Sequence, residues 1–144
     1  MTVEQAVHVC FLRVTDNISK QERLCRVVHN HFAKNYRVLI LAPTIEAAKF
    51  LDALLWKIPK ESFTPHVIAN TTTKERIVIT TAAANINQAT VLVNLSGSIP
   101  GFLSGVEIVY ELLDLTAPDK EAASRLRQAA YSQAGIPFVE SDTL

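Results

Sequence analysis

Residues 36–42, Tyr-Arg-Val-Leu-Ile-Leu-Ala, constrain the fold of this chain more than any other stretch. The run from Val38 to Ala42 has no polar side chain and no alternation. A strand without a polar face must be covered on both sides, which is the environment of a parallel sheet wrapped by crossover helices. The flanking sequence has that form. Residues 7–14 read as a first buried strand, and 76–81, 90–95 and 106–115 as further strands. A capping-box pattern, Ser19-Lys-Gln-Glu22, predicts a helix to about Asn35 with Leu24, Cys25, Val28 and Phe32 on its apolar face. Thr44 caps a second helix whose predicted buried stripe is Ala47, Phe50, Leu51, Leu54 and Ile58, with Trp56 packed at its end. Residues 67–74 read as a polar loop, and Gly97, Pro100, Gly101 and Gly105 mark an irregular connection. Thr116-Ala-Pro-Asp119 opens a last helix predicted to bury Ala122, Leu126, Ala129 and Gln133. That helix stops at Gly135, and Ile136-Pro137-Phe138 leads into a final strand. Alternating strands and helices give an α/β fold, three layers in αβα order, with a mostly parallel sheet and one domain over residues 1–144.

Charge narrows the function classes. Fourteen lysines and arginines balance fourteen aspartates and glutamates. A strong duplex binder carries a basic excess or a basic face, so any DNA contact is expected to be indirect, although a local patch can hide inside a neutral sum. Although 49% of the residues are hydrophobic, no apolar run approaches the roughly 20 residues of a membrane helix, and no basic-then-apolar leader opens the sequence. The expectation is a cytoplasmic protein. Cys10 and Cys25 form no C-x-x-C pair and read as buried thiols.

The constellations that would carry catalysis are missing from the sequence. No G-x-G-x-x-G follows the first strand, no G-x-x-x-x-G-K-[ST] occurs, and Asp16 stands in the turn where a phosphate would bind. Gly97, Gly101 and Gly105 lack a lysine partner. Cys25 and His29 share a helix face near His31, but a zinc site wants a third and fourth ligand. Ser96 is outside any nucleophile elbow, and Asp114 and Asp119 read as strand-end and capping residues. His66 reads as a loop-holding histidine, the alternative being an acid/base. No catalytic, cofactor or metal site is expected. On the last helix, Lys120, Ser124, Arg127 and Tyr131 fall on one stripe away from the apolar face, with Arg125 on its flank. Two readings stand: a solvated face, or a docking site for an acidic peptide tipped by an aromatic ring.

A family resemblance favours the second. Arg37-Val-Leu-Ile40, Leu51-Asp-Ala-Leu-Leu-Trp56, Pro59 and Glu61-Ser-Phe-Thr-Pro-His66 occur in the order and near the spacing found in the chi-subunit family of bacterial DNA polymerase III, which the chain resembles most specifically over residues 36–66. The resemblance implies a Rossmann-like, non-catalytic accessory subunit of the clamp loader. It also implies docking of the acidic C-terminal tail of single-stranded DNA-binding protein, and pairing with a psi subunit where the organism has one. Phe63 matches a position that lines the tail pocket in that family. Lys120, Arg125, Arg127 and Tyr131 keep the basic and aromatic chemistry of the family's last helix. The rivals are a degenerate nucleotide-binding or hydrolase-like domain and a scaffold subunit that has lost the tail pocket.

Overall fold

The structure, a computed structural model, describes residues 7–60 and 63–142. The chain runs β1 (His8–Val14), α1 (Asn17–Ala33), β2 (Val38–Leu41), α2 (Ile45–Leu55), β3 (Val67–Ile68), β4 (Ile77–Thr80), β5 (Val91–Asn94), β6 (Ile108–Asp114), α3 (Pro118–Gln133) and β7 (Phe138–Ser141). The seven strands form one sheet in the order β3-β4-β2-β5-β6-β1-β7, and each pairing is parallel. This is the three-layer, Rossmann-like arrangement that the uninterrupted apolar strands demand. All four residues of β2, β4 and β5 are buried.

Alternate residues of each strand enter two separate cores. On one face, Leu12, Ile40, Ile79 and Val93 meet Leu24, Val27 and Val28 of α1 and Leu51, Leu54 and Leu55 of α2. On the other, Phe11, Leu39, Val78, Leu92 and Val109 meet Tyr131 of α3. The connections that follow β4 and β5 supply Ile86, Ala89 and Val106 to this second core.

Several local expectations are corrected. Asp16, not Ser19, caps α1: its carboxylate accepts from the Ser19 backbone N–H at 2.8 Å, so the helix begins earlier than the capping-box pattern suggests. Thr44 caps α2 as expected, accepting from Ala47 N–H at 3.1 Å. Thr116 does not cap α3. Its hydroxyl donates to Asp114, which leaves Ala117 as an N-cap without a side-chain bond. The polar loop over 67–74 contains β3, with Val67 opposite Val78 and Ile68 opposite Ile79. In α2, Ala48 and Leu55 are buried while Phe50 is 56% exposed.

The largest correction concerns α3. Its inward face is Ser124, Gln128 and Tyr131, and Leu126 is 71% exposed. Ala122, Ala129 and Gln133 also face solvent. Of the stripe set away from the predicted apolar face, Ser124 and Tyr131 are buried and Arg127 is half-buried, while Lys120 stays exposed. The cause lies beneath the helix. Glu111 of β6 points into this core and is 1% exposed. A carboxylate buried there requires donors. It receives them from Arg127 Nε at 3.0 Å, Tyr131 Oη at 2.7 Å and Asn94 Nδ2 at 2.6 Å.

Candidate functional site

A cavity of about 450 Å³ opens at the carboxyl ends of β2, β5 and β6. The connections from β1 and β6 leave the sheet towards opposite faces, so a crevice forms between them, the usual place for a ligand in a parallel sheet. Leu24, Pro43, Phe50, Leu51, Leu54 and Leu95 give it apolar walls. Lys20, Lys120 and Arg127 bring positive charge and Asp114 brings negative charge. First-turn residues of all three helices reach its rim: Asn17 and Lys20 from α1, Ala47 from α2 and Lys120 from α3. Helix amino ends carry partial positive charge, so their convergence favours an anionic occupant.

The cations differ in what already holds them. Lys20 Nζ lies 2.6 Å from Asp114 Oδ2. Burial alone would raise the Asp114 carboxyl, but hydrogen bonds from Lys20 and Thr116 outweigh it and hold the group below the usual carboxylate range. Arg127 is committed inward, through Nε to Glu111 and through Nη2 to the Leu112 carbonyl at 3.0 Å. Burial pushes the Glu111 carboxyl up, against the opposing pull of Tyr131, Asn94 and Arg127. The same burial, together with the Glu111 charge, pushes the Tyr131 phenol up. The Lys120 ammonium has no hydrogen-bond or ion-pair partner among the described residues, and it sits on the first turn of the one helix that lacks a side-chain cap.

The structure separates the residues that the sequence groups together. Lys120 and Arg127 both line the cavity. Tyr131 lies beneath it, 0% exposed, with its ring 6.0 Å from that of Phe11. Arg125 stands on the outer flank, bonded to Glu140 at 2.9 Å. Phe63 is 84% exposed and lies just before β3. Four strand spacings, about 19 Å, separate β3 from β6, over which α3 packs. The fold therefore brings Phe63 and the last helix to different parts of the surface. Trp56 does not pack inward at the end of α2; it is 53% exposed and its ring lies 4.2 Å from that of His66. His66 holds the loop, with Nδ1 at 2.8 Å from the Thr64 carbonyl and Nε2 at 2.9 Å from the Asp52 carbonyl.

Phe50, Lys20 and Leu24 belong to the cavity but were not singled out as site residues by the sequence reasoning. Phe50 was placed in the core stripe of α2, where the spacing fits equally well. Among the described residues, no group of three or more His, Cys, Asp or Glu is placed to hold a metal ion. His29 Nδ1 lies 3.2 Å from Thr64 Oγ1 and His31 Nε2 lies 2.7 Å from Tyr110 Oη. Burial pushes the Cys25 thiol up to about 12. No described helix is long and apolar enough to cross a membrane.

Comparison with known proteins converges on one group. The chain is 24% identical over 123 residues to the DNA polymerase III subunit chi of Pseudomonas aeruginosa strain PAO1, covering 85% of this chain and 86% of that protein. The profile of the family described as "DNA polymerase III chi subunit, HolC" matches residues 7–139, nearly the whole described fold. This chain belongs to the DNA polymerase III chi subunit family.

Proposed function

We propose that this protein is a non-catalytic accessory subunit in DNA replication that docks the acidic C-terminal tail of single-stranded DNA-binding protein in the cavity between α1, α2 and α3. One observation carries this reading: an apolar crevice with Phe50, Leu51 and Leu54 in its wall and, at its rim, a Lys120 ammonium unpaired among the described residues. A terminal aromatic ring suits the apolar wall. Its carboxylate suits Lys120 and the uncapped first turn of α3. Arg127 adds positive potential from behind, and Tyr131 serves by fixing Arg127 and Glu111. Phe63 and Arg125 stand outside this cavity. They would meet the partner, if at all, away from the tail's last residue. Through such a contact, and through a psi subunit where one exists, the chain would link the clamp loader to coated single strands. The contact is small, so micromolar affinity that weakens with salt is expected. A multivalent partner would raise it by avidity.

Fluorescence anisotropy with a labelled peptide of the cognate tail tests this. Saturable binding at low salt is expected, with Lys120→Glu and Phe50→Ala each weakening it severalfold. Absence of binding at low salt would overturn tail docking and leave a scaffold role. Loss through Phe63→Ala, with Phe50→Ala silent, would move the docking site to the other end of the sheet.

A further inference from the structure

The fourteen cations and fourteen acids cancel in the sum but not in space. Residues 34–37, 56–60 and 74–76 all gather at the amino end of the sheet, where β2 and β4 begin and α2 ends. These three stretches hold six cations: Lys34, Arg37, Lys57, Lys60, Lys74 and Arg76. They hold one acid, Glu75, and Glu61 follows Lys60 in the sequence. Asp52, one turn back on α2, is tied to His66 at 3.2 Å, and Glu107 lies beyond β5 at the start of β6. The opposite end of the sheet holds Asp16, Glu46, Asp114 and Asp119 alongside Lys20, Lys120 and Arg127.

The partners of these cations matter as much as their number. Arg76 donates to Asn35 Oδ1 at 3.0 Å and lies 4.8 Å over the Phe32 ring. Arg37 donates to the Lys74 carbonyl at 2.8 Å. Both guanidinium groups are held by neutral acceptors, so their charge is oriented without being cancelled. None of the six forms a salt bridge among the described residues, whereas Arg13, Lys20, Arg125 and Arg127 each face a carboxylate. Three aromatic rings stand exposed at this same end: Tyr36 at 41%, Trp56 at 53% and Phe63 at 84%. The Trp56 ring is backed by His66, whose own ring is held between the Thr64 and Asp52 carbonyls, so it is presented in a fixed orientation.

We propose that this amino end is a direct contact surface for single-stranded nucleic acid. Cations bound to neutral acceptors remain available to phosphates, and exposed rings accept the faces of unstacked bases. A duplex offers no free base face to Trp56 or Tyr36, and no helix projects here to enter a groove. This surface lies at the opposite end of the sheet from the cavity, so it does not depend on tail docking.

The test is fluorescence anisotropy of the full chain with labelled oligothymidylate at low and rising salt. Saturable binding is expected, at least tenfold weaker in the combined Lys57→Glu, Lys60→Glu, Lys74→Glu variant. For three lost contacts, the log–log salt slope should flatten by about two. Trp56→Ala should weaken binding by at least about fivefold through lost stacking, with Tyr36→Ala as a second probe should the first variant misfold. No binding at low salt would overturn the proposal, as would binding indifferent to the lysine reversals. Equal affinity for a duplex of the same length would overturn the single-strand assignment. Binding of polyglutamate at these lysines, without binding of oligothymidylate, would overturn it in favour of an acidic protein partner.

Discussion

Helices α2 and α3 cover opposite faces of one sheet and follow opposite rules. α2 turns its aliphatic residues inward, with Leu51, Leu54 and Leu55 buried against Ile40, Ile77 and Ile79. α3 turns Leu126 out and buries Ser124, Gln128 and Tyr131. The helices differ less than the floors they meet. Under α2 the floor is hydrocarbon, and any apolar stripe will do. Under α3 it includes the Glu111 carboxylate and the Asn94 amide. Rotating α3 to bury Leu126 would gain roughly 1.5–3 kcal/mol of side-chain burial. It would also strip Arg127 and Tyr131 from a buried carboxylate, a penalty of several kcal/mol per uncompensated ion. The second term is larger, so the helix presents its polar stripe to the core. Hydrophobic periodicity predicts the buried face only where the surface beneath is apolar.

The comparison can be broken most directly at its strongest contact. Arg127→Ala should destabilise the fold by about 3–5 kcal/mol, read by denaturant unfolding, because Glu111 would keep its burial and lose its cation. A loss under about 1 kcal/mol would mean that Tyr131 and Asn94 suffice, and the argument about the floor would fail. A smaller contrast lies at the helix starts. Thr44→Ala should cost about 1 kcal/mol by removing the cap of α2, whereas Ala117→Ser should stabilise α3 by a similar amount. Equal responses at the two sites would show that the missing cap of α3 is satisfied in some other way. The smallest effect belongs to the outward leucine. Leu126→Lys should change stability by less than about 0.5 kcal/mol, since its side chain is 71% exposed. A larger loss would mean that another surface covers this face.

The layers were legible because β2, β4 and β5 are apolar throughout, and such strands have few places to go. Thr44 and Gly135 were legible because capping and left-handed termination are local; Gly135 has φ +73. The loop-holding role of His66 is legible too, since its two carbonyl neighbours lie within the loop and helix that flank it. The candidate site was only half legible. Lys120 and Arg127 do share a cavity, but Phe63 matched a family pattern without reporting which end of the sheet its loop occupies. Phe50, Leu24 and Lys20 join Lys120 only because α1, α2 and α3 all begin at the carboxyl end of one parallel sheet.

By itself the sequence determined the element order apart from β3, the parallel sheet and the family, because apolar runs, capping residues and short motifs are properties of contiguous residues. Tertiary structure alone decided which face of α3 is buried, where the cavity opens and that six cations outside any salt bridge among the described residues gather at the amino end. Those outcomes depend on residues far apart in the chain, such as Glu111 with Tyr131 or Arg37 with Lys74. The buried carboxylate selects its partners by desolvation, and the six cations gather because β2 and β4 begin, and α2 ends, at the same end of the sheet.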